Sequence, residues 1–347
     1  MKILVGISGG VDSAVAAKIL KNEGHTVEGA VLKMHEYTEL SAACIAADNV
    51  QIPLHTVDCT EEFDKIIRKN FVEEYLAGRT PNPCILCNQT VKFKLLYSYA
   101  MENGFDAIAT GHYAKIVTVD NGAGKRYAFQ CSEDKRKDQT YMLYRLPQYI
   151  IEKLMLPLGG MCKEDIRALA ANYGIDASER ADSQEICFLP NGNHAEYIES
   201  VAGKSPEGDF IDMNGNVLGK HRGIIRYTVG QRKGLGIALG ERAFVTKIDP
   251  KNNTVTLSPK EAGASLVRIS DMVHSGMDMP KEDVCGNFDV KLRYASSFLK
   301  CVARLHSDGT ATLEFDPPQK AAPGQSAVLY RNGVVMCGGF ITDFMSK

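Results

Sequence analysis

Ser8-Gly9-Gly10-Val11-Asp12-Ser13 joins an apolar run, Ile3 to Ile7, to an alanine-rich segment, Ala14 to Leu20. A strand that passes through a glycine-rich turn into a helix is the opening unit of a parallel α/β sheet. Two adjacent glycines let the backbone close in on an anion, with the N–H groups of the turn and of the helix's first turn aimed at it. Ser8 and Ser13 add hydroxyls, so the stretch Gly6, Ile7, Ser8, Gly9, Gly10, Val11, Asp12, Ser13 reads as a nucleotide-phosphate cradle or, more plainly, as a strand-to-helix connection. It has neither the spacing and lysine of G-x-x-x-x-G-K-S/T nor the pattern G-x-G-x-x-G, which sets aside the common NTPase and dinucleotide fingerprints. Asp12 fits either a Mg²⁺-placing role or a helix N-cap.

The rhythm continues with a helix from Ser13 to Asn22, a strand Val27 to Leu32, a helix near Leu40 to Asn49 and a strand Pro53 to Asp58. Further helix patterns span Glu61 to Leu76 and Thr90 to Glu102, and Asp106 to Thr110 reads as a buried strand leading into Gly111-His112. In an open parallel sheet the ligand sits at the C-terminal ends of the strands, which puts Gly111 and the end of the second strand beside the cradle, although Leu32 there reads on its own as an ordinary core residue. After Pro190 the pattern changes to short alternating runs split by turns such as Met213-Asn214-Gly215-Asn216, Asp249-Pro250-Lys251-Asn252 and His306-Ser307-Asp308-Gly309. Those are hairpin signals. The expectation is an α/β domain over 1–190, a small β-rich central domain over 191–258 and a β-barrel over 259–347.

A chain of 347 residues with 44% hydrophobic content can bury a sizeable core. No apolar segment has the length of a transmembrane helix, and a cytoplasmic location without membrane partners is expected. Ten cysteines in such a setting suggest reduced thiols with redox or metal chemistry. Two stand in Thr80-Pro81-Asn82-Pro83-Cys84-Ile85-Leu86-Cys87-Asn88, a loop expected to be stiff because prolines restrict themselves and their predecessors. A third, Cys187, follows the charged stretch Asp182 to Glu185. The C-x-x-C pair alone fits a redox pair, part of a zinc site or chance. Cys44, Cys59, Cys131, Cys162, Cys285, Cys301 and Cys337 are expected to be buried small hydrophobes.

The loop Ser8 to Ser13 resembles the SGG-x-DS signature of ATP pyrophosphatases. Together with T-P-N-P-x-x-x-C-N, Lys92-Phe93-Lys94, Ala109-Thr110-Gly111-His112-Tyr113, Lys137-Asp138-Gln139-Thr140-Tyr141, Ile186-Cys187-Phe188, Gly230 to Gly236 and Pro323 to Ala327, the whole chain resembles the tRNA-specific 2-thiouridylase family. The resemblance implies an adenine nucleotide α-hydrolase-like, Rossmann-like domain, a central domain and a β-barrel. It also implies ATP, Mg²⁺ and tRNA, with sulfur inserted at C2 of a wobble uridine. Gly6 to Ser13, Leu32 and Gly111 would hold ATP, and Asn82, Pro83 and Cys84 would meet the target base. By the same resemblance Cys187 carries a persulfide and Cys87 is the nucleophile that closes a disulfide with it. Thiolate character is expected at both, from nearby positive charge or a helix N-terminus.

Family members commonly carry aspartate where this chain has Cys84. Cys84, Cys87 and Cys187 could therefore ligate three irons of a 4Fe-4S cluster that delivers sulfide, or Cys84 could be an inert replacement. The sulfur would come from a donor protein or inorganic sulfide. His112, Lys137, Asp138, Gln139, Arg293, Tyr294 and Gln325 match family positions for tRNA contact. Lys220, Arg222, Arg226, Arg232 and Lys233, in a stretch from Met213 to Gly240 without an acidic residue, read as a phosphate-binding face in a chain of net charge −2 or as a solvated surface. No DNA partner is expected. Two rivals stay open: an ATP pyrophosphatase that amidates a small metabolite, and a non-catalytic RNA-binding or thiol-storage protein.

Overall fold

The computed structural model describes residues 1–120, 124–175, 186–189, 191–237, 240, 242–260 and 263–345. Its first layer is a parallel sheet of β1 (Lys2–Gly6), β2 (Thr26–Lys33), β3 (Leu54–Asp58), β4 (Ala107–Ala109) and, after a hairpin β5 (Ala114–Asp120) and β6 (Lys125–Cys131), β7 (Leu154–Met155). The strand order is β3-β2-β1-β4-β7, so β1 is central. Ile3, Leu4 and Val5 are fully buried, as a strand covered on both faces by helices must be. Helices Val11–Asn22 and Leu40–Val50 pack small residues, Ala14, Ala16, Ala17, Ala43 and Ala47, onto one face with β1 and β2. Gly24 ends the first of them at φ +88°, a left-handed position that glycine takes without strain.

The middle region carries a mixed sheet of β8 (Gly208–Ile211), β9 (Val217–His221), β10 (Phe244–Asp249) and β11 (Thr254–Ser258) in the order β10-β11-β8-β9. The last region is β12 (Ala264–His274), β13 (Val284–Lys291), β14 (Leu299–Leu305), β15 (Ala311–Gln319), β16 (Ser326–Arg331) and β17 (Val334–Met345). These run β12-β15-β14-β13-β16-β17, and β12 also pairs with β17, which closes a barrel and leaves no free edge in the cycle. All three turns marked as hairpin signals join antiparallel neighbours: β8 to β9, β10 to β11 and β14 to β15.

Several elements differ from the sequence reading. Helix does not start near Thr90; it starts at Pro83 and continues to Glu102 through a π-helical stretch Asn88–Lys92, so the C-x-x-C pair lies on a helix and not in a loop. The reason is local: Asn82 accepts the Cys84 N–H at 3.2 Å, and Pro83 is preset for the first helical position. A helix, His194–Ala202, precedes the β-rich middle region. The β5–β6 hairpin joins the barrel, with Gln130 opposite Val334 of β17 and the Cys131 N–H donating to Gly333 O at 2.8 Å. Cys59, Cys131, Cys301 and Cys337 are buried as expected, but Cys44 and Cys285 are exposed and Cys162 is half-buried. Asp182 to Glu185 lie outside the described residues. Among those described, no helix is long and apolar enough to cross a membrane.

Candidate active site

The glycine turn is built almost wholly from its own residues. Ser13 Oγ accepts the Ser8 N–H at 3.2 Å and donates to Gly10 O at 2.9 Å, while Gly10 N–H donates to Ser8 Oγ at 3.4 Å. Gly9 has φ +83°, and a Cβ there would stand 2.7 Å from Ala42 Cβ. Gly111 lets the end of β4 close on the first helix, since a Cβ on it would lie 2.7 Å from the Asp12 backbone. Gly10, not Asp12, is the N-cap. The Asp12 carboxylate instead takes Lys163 Nζ at 2.7 and 2.8 Å and the Tyr113 hydroxyl at 2.8 Å. Both its oxygens accept hydrogen bonds from the protein, and the N-cap reading of Asp12 is corrected in favour of Gly10. Leu32 is buried in β2, where it packs in the larger core cluster.

A second site lies on the same α/β domain. Cys84, Cys87 and Cys187 line one pocket with Met34, Phe63, Ile67, Pro83, Asn88, Lys92, Ile186 and Phe188. Two π-helical stretches border it, Phe63–Arg68 and Asn88–Lys92, a deformation that re-aims side chains and is often met at functional sites. Cys84, Cys87, Asn88 and Lys92 fall at i, i+3, i+4 and i+8, one face of the helix begun at Pro83. Cys84 and Cys187 are exposed at the mouth, and Cys87 is buried, its Sγ 3.8 Å from Met34 Sδ.

The electrostatics run against the expected thiolates. Enclosure by apolar walls raises the Cys87 thiol to about 12, and Lys92 opposes this without prevailing. Cys84 and Cys187 are raised for the same first reason, with Lys92 again the opposing charge. Asn88 is 3% exposed; its Nδ2 donates to Met142 O at 2.9 Å, yet its Oδ1 is buried with no partner. Asn88 lines the thiol pocket, and a buried acceptor without a donor is rare enough to call for one. Among the described residues, no three His, Cys, Asp or Glu side chains are gathered as a metal-ligating group.

His112 follows β4 with Nδ1 2.9 Å from Thr110 Oγ1 and its ring 5.3 Å from that of Phe93. Burial lowers it to about 3, so the ring is neutral. Residues matched to tRNA contact are largely engaged within the protein. Asp138 is buried and accepts the Ser132 N–H at 3.0 Å and the Thr140 hydroxyl at 2.7 Å. Gln139 Oε1 accepts the Tyr113 N–H at 2.9 Å. Lys137 is half-buried, its N–H donating to Asp134 O. Arg293 donates to Val229 O at 3.3 Å, Tyr294 is exposed with its ring 6.3 Å from that of Tyr141, and Gln325 donates to Thr80 O at 2.7 Å.

The basic stretch divides in two. Lys220 and Arg226 pair with Asp209 and Glu199, both outside the stretch whose lack of acidic residues suggested free charge. Arg222, Arg232 and Lys233 are exposed. Sequence reasoning gave no role to Lys163, Asn88 or Met142. The helical spacing from Cys84 to Lys92 could have singled out Asn88 and Lys92, but only once the helix was known to begin at Pro83.

Three family models match in succession: a tRNA methyl transferase HUP domain over residues 1–191, a tRNA methyl transferase PRC-barrel domain over 195–259 and an aminomethyltransferase β-barrel domain over 268–341. Similar curated proteins include the tRNA-specific 2-thiouridylase MnmA of Lachnoclostridium phytofermentans, 42% identical over 98% of this chain and 99% of that one. The protein of that name from Acetivibrio thermocellus is 41% identical over 98% and 99%. Among solved structures, a 4-thiouridine synthetase–RNA complex with bound ATP is 19% identical over 50% of this chain and 41% of its own, with a TM-score of 0.35. On relatives this similar along nearly its full length, the chain belongs to the tRNA-specific 2-thiouridylase family.

Proposed function

We propose that this protein is a tRNA 2-thiouridine synthase that uses ATP to activate the C2 oxygen of a wobble uridine and then replaces that oxygen with sulfur. The observation that carries the reading is the convergence of Cys187 with the neighbouring pair Cys84 and Cys87, far from it in sequence, on one pocket of the domain that holds the glycine turn. The turn and the first helix's N-terminus suit the pyrophosphate of ATP. Uracil's C2 oxygen attacks the α-phosphorus and pyrophosphate leaves, which turns a poor leaving group into AMP. A persulfide on Cys187 attacks C2 through its outer sulfur, and AMP departs with the oxygen. Cys87 then attacks Cys187 Sγ, breaking the S–S bond to the transferred sulfur and closing a Cys87–Cys187 disulfide. A dithiol reductant must reopen it before the next turnover.

The base would have to leave the anticodon stack to reach the pocket. Asn88 Oδ1, the orphaned acceptor, suits the uracil N3–H, which cytosine lacks. Arg222, Arg232 and Lys233 are exposed cations of the basic stretch, without, among the described residues, the acidic partner that Lys220 has in Asp209, and suit tRNA phosphates.

Among the described residues no three His, Cys, Asp or Glu side chains gather as a metal-ligating group, so no step is routed through a cluster. The test is mass spectrometry of nucleosides after incubation with tRNA, ATP, a persulfide donor and a dithiol reductant. Wild type should form 2-thiouridine with release of AMP and pyrophosphate, while Cys187→Ser should form none and still bind tRNA. Stoichiometric iron and acid-labile sulfide in anaerobic protein, lost in Cys84→Ser, would replace the persulfide route with the cluster route.

A further inference from the structure

The barrel grips the chain just ahead of the thiol helix. The Thr80 N–H donates to Pro323 O at 2.9 Å, and Gln325 Nε2 donates to Thr80 O at 2.7 Å, so one turn takes both backbone groups of one residue. The approach needs glycine between them: Gly324 has φ +90°, and a Cβ there would lie 2.9–3.0 Å from the Thr80 backbone. The turn is sewn to β17 by Gly324 N–H to Ile341 O at 2.9 Å and Ile341 N–H to Gln325 O at 2.7 Å. On its other side the Thr80 hydroxyl lies 3.3 Å from that of Thr228 in the middle region. Thr80 is thus held by both other parts of the molecule.

From Thr80 onward the chain has little give. Pro81 and Pro83 restrict their own φ and the backbone before them, and Asn82 between them caps the helix through the Cys84 N–H. A shift at Thr80 must therefore pass to Cys84 and Cys87.

We propose that the Pro323-Gly324-Gln325 turn is a positioning clamp: through Thr80, Gln325 keeps the thiol helix seated, and it acts on the reactivity of Cys87 instead of by contact with RNA. The consequence for turnover rests on the functional reading above, but the clamp itself can be read without activity. The measurement is alkylation of Cys87 relative to Cys337, which is sealed in the barrel core, with tRNA affinity and steady-state kinetics alongside. Gln325→Ala and Gly324→Ala perturb the contact by different routes, one by removing the donor and the other by crowding Thr80. Both should raise the Cys87 to Cys337 ratio about fivefold or more, because local opening exposes a buried thiol. Both should lower kcat about tenfold or more with the KM for tRNA little changed, since small misplacements of a reacting group are costly. Gln325→Lys, which keeps an N–H donor, should recover part of the loss.

An unchanged alkylation ratio in both alanine variants would overturn the clamp, and weaker tRNA binding with that ratio unchanged would assign Gln325 to RNA contact. A raised ratio in a protein whose wild type forms no 2-thiouridine would uphold the clamp and refute the functional reading instead.

Discussion

The glycine turn and the thiol pocket are built in opposite ways. The turn is drawn from eight consecutive residues, Gly6 to Ser13, and the hydrogen bonds of Ser8, Gly10 and Ser13 close on one another, while Asp12 reaches out to Lys163 and Tyr113. The pocket draws on the end of β2, the helix through Phe63 and Ile67, the helix from Pro83 and the segment at Cys187, and its entry is braced by the barrel at Thr80. A site made from local backbone is present as soon as its strand and helix form. A site made from distant thiols exists only when the whole tertiary structure is in place, and its chemistry follows from what surrounds it.

That contrast can be broken most severely at the thiols. Cys87→Ser and Cys187→Ser should each lower thiolation about a thousandfold or more, as loss of a covalent participant does, with ATP binding kept because the turn owes nothing to them. Equal loss of ATP binding, by isothermal titration, would show the two sites to be one unit.

Next in size is the pH dependence of Cys87. With the thiol pushed to about 12, its alkylation in the free protein should rise about tenfold per pH unit from 7 to 10 without a plateau, since only thiolate reacts. The sign for stability follows. The unfolded thiol loses its proton first, near its ordinary 9.0, so this group favours unfolding as pH climbs from 9.0 towards about 12. A plateau near pH 7 on adding tRNA would mean that substrate phosphates or bases are not passive but that binding creates the thiolate. Lys92→Met, which removes the opposing charge, should slow alkylation further.

A smaller effect is expected at Asp12. Asp12→Asn removes the carboxylate that Lys163, which is 8% exposed, bonds at both oxygens and should cost about 2 kcal/mol in urea unfolding. A comparable loss in Asp12→Asn and no loss in Lys163→Met would show that the pair tethers the helix at Lys163 by packing alone. The smallest effect concerns His112. Because its ring is neutral above about pH 3, His112→Gln should leave the salt dependence of tRNA binding unchanged between pH 6 and 8. A shallower salt slope in the variant at pH 6 would mean that RNA draws a proton onto the ring.

How much of this could be read ahead of the structure depends on distance along the chain. The β1-turn-helix unit, the parallel strands through Asp58 and the three hairpins of the β-rich half follow from periodicity and turn residues, which act over a few positions. The helix at Cys84 and Cys87 was legible in Asn82-Pro83, a capping residue followed by a proline preset for the first turn, yet the prolines suggest a loop when read alone. Pairing of Lys220 with Asp209 and of Arg226 with Glu199 was not legible, because the acidic partners stand outside the basic stretch.

By itself, then, the sequence determined the glycine turn, the order of α/β and β-rich regions and which cysteines deserved notice, for those rest on local backbone preference and on side-chain period. Tertiary structure alone decided that Cys187 meets Cys84 and Cys87, that burial raises their thiols, that Asp12 is held by Lys163 and that Gln325 faces Thr80. Those outcomes depend on burial and on groups brought together from far along the chain, and desolvation acts on a thiol only after the walls around it have closed.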